Sequence, residues 1–130
     1  MLFNSEILSI TLLSLQVSAI ATVISLLIGL PLGTWLALGN FRARSFILSI
    51  INTGMALPPV VVGLVVAIML WRSGPLGGLR LIYTPVAIII AQTIIAAPVV
   101  TGLTAAALEA LDLRLQQQLL GLGASRVQMV

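Results

Sequence analysis

The sequence has very few charged residues and lacks cysteine, histidine and lysine. Only 7% of its 130 residues are charged, whereas about a quarter are charged in soluble domains. Without cysteine the chain forms no disulfide or iron–sulfur cluster, and without histidine it lacks the usual proton shuttle. Without lysine it has no GxxxxGK loop for the phosphates of ATP. Hydrophobic residues make up 60% of the chain, so we expect lipid to surround most of it.

Long uncharged stretches separate the few charges. They run from Ile7 to Phe41, from Ser45 to Trp71 and from Leu81 to Leu108. Each exceeds the roughly 20 apolar residues that cross a bilayer, and each is apolar all round, which favours helices over barrel strands. A soluble helical protein would have too few polar residues to cover such helices. We therefore predict an all-α, polytopic integral membrane protein with a cytoplasmic segment at 109–130. Its transmembrane helices are predicted at about 7–38, 46–71 and 84–108.

The arginines are divided unequally between the two sides that three crossings define. Four lie on one side and two on the other: Arg42, Arg44, Arg114 and Arg126 against Arg72 and Arg80. The positive-inside rule makes the four-arginine side cytoplasmic. We therefore expect a multi-pass protein of the inner (plasma) membrane, with its N-terminus outside and residues 109–130 in the cytoplasm. So few arginines without an aromatic platform argue against a nucleic-acid partner.

Every predicted helix contains proline: Pro31 in the first, Pro58 and Pro59 in the second, and Pro98 in the third. A proline inside a helix costs about 3 kcal/mol unless neighbouring groups satisfy the freed carbonyl. Pro58 lies at the midpoint of the second stretch, which predicts two half-helices that meet there, an arrangement often found at transport pathways. A simple kink that improves packing is the alternative.

Small and polar residues within the helices indicate where protein or water replaces lipid. The GxxxG spacing of Gly29 and Gly33 predicts close packing within the chain. The polar residues of the second and third helices should face protein or water: Asn52, Thr53, Gln92, Thr93, Thr101 and Thr104. As candidate pathway or hinge residues we take Asn52, Pro58, Pro59, Gln92, Thr93 and Pro98, although polar residues also serve as bonds between helices. With no acid or base in the helices, proton coupling has no evident carrier here.

The segment after Leu108 alternates polar residues with an apolar stripe at helical spacing, interrupted at Gly121 and Gly123. Its end resembles the cytoplasmic coupling motif of ABC importer permeases, EAA followed by three residues and Gly-Ala-Ser. The glycine part matches, whereas Gln117, Gln118 and Leu119 stand at the EAA positions. The resemblance implies contacts with an ATPase through Gln117, Gln118, Gly121, Gly123, Ala124, Ser125 and Arg126.

A second resemblance involves Leu57 to Leu64, which is similar to the second helix of molybdate and tungstate permeases. Further stretches look like the tungstate branch: 73–77, 83–85, 91–92 and 97–99. The likeness covers Leu12 to Val130 and implies the permease subunit of an ABC importer for an oxyanion, tungstate in particular. Molybdate, sulfate or phosphate as substrate, or a small membrane scaffold without transport, are the alternatives.

The same resemblance implies the partners. We expect a permease homodimer, two cytoplasmic ATPase subunits that hold ATP and Mg²⁺, and an external solute-binding protein. The chain itself would bind no cofactor or metal and would not be an enzyme. Because members of the family normally have five or six transmembrane helices, we expect a partial permease domain that does not transport alone.

The lipid environment is directly testable. After cell lysis and alkaline washing, the protein should remain in the membrane pellet and should need detergent for extraction, because its uncharged helices have no polar shell. A folded protein in the detergent-free supernatant would contradict the predicted class.

Overall fold

The computed structural model describes residues 2–110, 118, 120–123 and 125. These residues form helices and turns without a strand, which confirms the predicted all-α class. The helices are α1 (Leu2–Leu38), α2 (Arg44–Ala56), α3 (Pro59–Leu70) and α4 (Pro85–Glu109), with a 3₁₀ turn at Gly77–Leu79 between α3 and α4. The first and third predicted helices thus correspond to α1 and α4, and the second corresponds to the pair α2 and α3.

Several hydroxyl groups of α1 bond to carbonyl oxygens of the same helix. Thr11 donates to the carbonyl oxygen of Ile7 at 2.8 Å, and Thr22 donates to that of Ser18 at 2.7 Å. Ser25, which is fully buried, donates to the carbonyl of Ala21 at 2.8 Å. Bonds to the carbonyl four residues earlier satisfy these hydroxyls within the helix, so they need no water.

Small residues bring α1 against α4. A Cβ atom on Gly29 would lie 2.6 Å from Cγ1 of Val100, and one on Gly33 would lie 2.6 Å from Cβ of Thr104. Residue numbers rise together along both helices at these contacts, so α1 and α4 run parallel. The predicted close packing of the two glycines within the chain is confirmed. Ala21 and Ser25, also buried, extend the stripe toward the N-terminus at the same four-residue interval.

The second predicted helix is broken. Its halves, α2 and α3, meet at an angle of 98°, and Leu57 and Pro58 between them have extended backbones with ψ of 130° and 132°. Neither Pro58 nor Pro59 has an N–H, so the carbonyls of Gly54 and Met55 lose the donors that a continuous helix supplies. The N–H of Leu57 bonds to the Gly54 oxygen instead, at 3.4 Å. The predicted break is confirmed.

The two halves of the broken helix, α2 and α3, pack against opposite ends of α4. Arg44, at the start of α2, pairs with Glu109 at the end of α4. At the other end, Val62, Val66 and Leu70 of α3 form a buried cluster. This cluster packs against Leu81, Ile82, Ala87, Ile90, Ala91 and Ile95. Two continuous helices, α1 and α4, are long and apolar enough to span a membrane, and the bent pair would be a third crossing if it forms one span.

Larger side chains at the α1–α4 contact should destabilise the fold. Gly29→Leu and Gly33→Leu force a side chain into occupied space, which costs about 1–3 kcal/mol of unfolding free energy. Gly63→Leu in α3 is the matched control, because a Cβ there meets nothing within 4 Å. Unfolding of the detergent-solubilised permease by SDS, followed by circular dichroism, measures the difference. Equal midpoints for the Gly29 and Gly63 variants would refute the contact.

Candidate functional site

One face of α2 is polar and uncovered. Arg44, Ser45, Ser49, Asn52 and Thr53 recur at helical spacing and line, with Leu48 and Ala56, an open depression of about 620 Å³. Asn52 and Thr53 are exposed, and the Thr53 hydroxyl donates to the Ser49 carbonyl at 2.8 Å. An exposed amide side chain in a membrane helix requires water or another protein surface. This face is therefore the one best suited to line an aqueous path.

The predicted pathway residues of α4 lie elsewhere. Gln92 and Thr93 are half-buried, and Thr93 stands four and eight residues before Ala97 and Thr101 on one stripe of the helix. Thr101, which is buried, donates to the Ala97 carbonyl at 2.8 Å. The Thr93 hydroxyl, by contrast, is buried with no hydrogen-bond partner among the described residues. The structure thus places Asn52 on an open face and Thr93 in the interior.

The proline candidates are grouped around the break. A Cβ on Gly54 would lie 3.2 Å from Cβ and Cγ of Pro98, so the α4 proline packs against α2 near its end. Pro58 and Pro59 are exposed, with Pro58 capping α3 and Pro59 in its first turn. Irregular backbone at membrane depth is tolerated only where protein or water reaches it. The break and Pro98 therefore lie in one region of the fold.

An ion pair ties together the ends of three helices. The Arg44 guanidinium donates through Nε to the carbonyl oxygen of Leu36 at 2.7 Å and pairs through its terminal nitrogen with Oε1 of Glu109. The Arg44 and Glu109 side chains are partly exposed, so the pair adds at most about 1 kcal/mol of stability. Sequence analysis assigned Arg44 only to topology, because a partner 65 residues away leaves no local pattern.

Part of the predicted coupling segment is described. Gln117, Ala124 and Arg126 lie outside the described residues, whereas Gln118, Gly121, Gly123 and Ser125 lie within them. The N–H of Leu122 bonds to the Gln118 oxygen at 3.1 Å, and the N–H of Gly123 bonds to the Leu120 oxygen at 3.0 Å. Gly123 has a φ of 86°, the left-handed conformation in which glycine ends a helix. The helical turn continues through Gly121 and ends only at Gly123.

A cavity at the opposite end of the molecule escaped the sequence analysis. Arg72 and Arg80 line it together with aromatic residues that follow α3 and precede α4. The arginines at the two ends of a glycine-rich connector were the available signal. Their convergence depends on how that connector turns, which the sequence pattern does not specify.

The described residues thus combine two long apolar helices, a bent helix pair and an exposed polar face on α2. The family model of the binding-protein-dependent transport system inner membrane component matches residues 29–130, and the chain belongs to this family. The predicted kinship with ABC importer permeases is thereby confirmed.

Within this family, the chain is similar to permease proteins for anions. The chain is 45% identical over 108 residues to a probable anion ABC transporter permease protein of Haloferax volcanii, which covers 82% of this chain and 47% of the relative. It is 43% identical over 102 residues to the tungstate uptake system permease protein TupB of Peptoclostridium acidaminophilum, covering 78% and 45%. The molybdenum transport system permease protein ModB of Escherichia coli is 30% identical over 122 residues, covering 88% and 53%. The chain thus spans about half the length of these relatives. No solved structure matches it.

Removing the prolines at the break should straighten it. Pro58→Ala with Pro59→Ala restores two backbone donors, so α2 and α3 should merge and the bend should shrink. Pro85→Ala is the control, since a proline in the first turn of α4 interrupts no helical bond. Spin-label distances between positions 48 and 68 should increase in the double variant alone. An unchanged distance would show that tertiary packing, and not proline, sets the bend.

Proposed function

We propose that this chain supplies part of the translocation pathway of an ABC importer for an oxyanion, with tungstate as the substrate and with ATP hydrolysed by separate subunits. The observation that carries the proposal is the family match over residues 29–130, which includes the predicted coupling segment. The names of the relatives support an anion, and the higher identity to a tungstate permease than to a molybdenum permease favours tungstate. A solute-binding protein would deliver the anion from outside.

The orientation follows from the arginines. The end of the molecule with Arg42, Arg44 and Glu109 would face the cytoplasm, and the connector with Arg72 and Arg80 would face outward. The Arg44–Glu109 pair supports placing the α1–α2 loop and the end of α4 on one side, because both members of the pair carry charge that belongs in water. The coupling segment after α4 then lies in the cytoplasm, where an ATPase is available.

The pathway would be neutral and polar. The described helices carry no charge between Ile7 and Phe41, Ser45 and Trp71, or Leu81 and Leu108, so hydroxyl and amide groups such as those of Ser49 and Asn52 would meet the anion. Such groups give a dianion weaker binding than arginine would, which favours passage over retention. In a homodimer, the exposed α2 faces of two copies would enclose this path.

Bending at the break would open and close the path. Pro58 and Pro59 would serve as the hinge, with Pro98 packed beside it. Gln92 and the unpartnered hydroxyl of Thr93 would contact water or the anion in one of the two states. The turn that ends at Gly123 would fit into a groove of the ATPase, and the Arg44–Glu109 pair would pass the motion to α1 and α2.

Reconstitution tests the function. The complete importer that contains this chain, purified from its native membrane with its ATPase, should take up tungstate into proteoliposomes only when loaded binding protein and ATP are both present. Excess molybdate should compete weakly, whereas sulfate and phosphate should not. Uptake of another oxyanion in preference to tungstate would replace the substrate and retain the permease. Absence of any ATP-dependent uptake would favour the scaffold.

The coupling role has its own test. Gly123→Glu should abolish stimulation of the ATPase by loaded binding protein, because it strains the left-handed backbone by about 1–2 kcal/mol and adds charge at the contact. Gly121→Ala is the control, since that glycine is helical and has open space around it. If the Gly123 variant keeps full stimulation, the turn does not contact the ATPase.

A further inference from the structure

Two arginines line one cavity between the end of α3 and the start of α4. The cavity measures about 770 Å³ and includes Arg72 and Arg80 in its wall. Both arginine side chains are exposed, and neither forms an ion pair with an acidic residue in the described part of the chain. Arg44, at the other end of the molecule, differs because Glu109 neutralises it. The charges of Arg72 and Arg80 are therefore available to a ligand.

Backbone contacts hold the connector between α3 and α4, which contributes to the cavity wall, in place. The N–H of Gly74 bonds to the Trp71 oxygen at 2.7 Å, and the N–H of Leu76 bonds to the Met69 oxygen at 3.0 Å. A Cβ on Gly77 would lie 2.5 Å from the Arg72 carbonyl oxygen. Only glycine fits this approach, so the connector is fixed against the end of α3. Fixed groups bind an anion with less ordering cost than mobile ones.

Backbone strain is concentrated at the same cavity. Arg80 and Tyr83 have φ angles of 52° and 65°, and they are the non-glycine residues with positive φ in the described part of the chain. Both line the cavity. A left-handed conformation is unfavourable for such side chains and persists where the surrounding structure imposes it, which is typical of ligand sites. Arg80 thus combines a left-handed backbone with a place in the same cavity wall as Arg72.

Aromatic residues indicate where the cavity lies relative to the membrane. Trp71 and Tyr83 meet edge to face, with ring centroids 6.3 Å apart. Tryptophan and tyrosine are typical of the boundary between lipid and water. The cavity thus lies where a ligand from water first meets the membrane region. Because both arginines are positively charged, an anion held between them would reduce their mutual repulsion.

We propose that this cavity is a receiving site for a tetrahedral oxyanion of two negative charges, held by Arg72 and Arg80 before it enters the neutral path. The guanidinium group donates parallel hydrogen bonds that match pairs of oxyanion oxygens. The inference rests on the proposed function for its outward orientation and its substrate class. A concave wall of glycine and aromatic rings fits a small anion better than the flat acidic surface of a docking protein, which is the competing occupant.

Direct binding tests the site. The permease in lipid nanodiscs, without binding protein, is titrated with inorganic tungstate, and bound tungsten is measured by mass spectrometry. Wild type should bind saturably, and Arg72→Gln or Arg80→Gln should raise the Kd about tenfold or more, as expected for a lost charge-assisted hydrogen bond. Arg42→Gln, an exposed arginine at the other end, should leave the Kd unchanged. No saturable binding by wild type, or equal Kd values for wild type and the double variant Arg72→Gln with Arg80→Gln, would overturn the proposal.

Two further measurements separate the alternatives. Arg80→Lys keeps the charge without the paired donors, so its Kd should lie between those of wild type and Arg80→Gln. If the double variant loses affinity for the binding protein yet binds tungstate normally, the arginines form a docking surface and the site is refuted. Uptake in proteoliposomes distinguishes the two proposals. If the wild type takes up tungstate normally and the double variant still binds tungstate as tightly as the wild type, only the receiving site is refuted.

Discussion

In lipid, every backbone N–H and C=O must find its hydrogen-bond partner within the protein, and this requirement shapes the whole chain. It explains the uninterrupted α1 and α4 and the serine and threonine hydroxyls that bond to carbonyls of their own helix. It also gives meaning to the exception. Pro58 and Pro59 lack an N–H, and although the Leu57 N–H bonds to the Gly54 oxygen, the Met55 carbonyl depends on water or another protein surface.

The same requirement makes the break a costly feature of the chain. Consecutive prolines interrupt the continuous hydrogen bonding that is most stable in lipid. The 98° bend also leaves the polar face of α2 uncovered while α3 packs on α4. An irregular backbone and an uncovered polar face therefore occur in the same crossing. Together they describe a segment whose surroundings include water.

Composition and uncharged stretches were sufficient to predict an all-α membrane chain, because lipid allows so few alternatives. Proline chemistry was sufficient to locate the break at Pro58. The angle was not predictable, since it depends on packing such as that of Gly54 on Pro98. The beginning of α1 at Leu2, before the predicted residue 7, was missed because Glu6 was taken as a boundary, whereas an exposed carboxylate near a helix end is compatible with helix.

Site residues were harder to predict than helices. Asn52, Gln92 and Thr93 were chosen for their polarity alone, and the structure separates the open face of Asn52 from the interior of Thr93. Arg44 with Glu109, and Arg72 with Arg80, depend on contacts or turns that no local pattern encodes. Polarity within a membrane helix indicates that a residue avoids lipid, but the tertiary structure decides which groups it contacts.

The contact of α4 with α1 and its contact with α2 differ in how strongly they resist movement of one helix along the other. Against α1, glycine backbones sit directly on Val100 and Thr104, so any displacement produces collisions between atoms that cannot yield. Against α2, the nearest neighbour of Gly102 is the Met55 sulfur, at the end of an unbranched and easily reoriented side chain. A shift along the contact with α1 therefore meets rigid atoms, whereas at Gly102 the contact with α2 can adapt through rotation of the Met55 side chain.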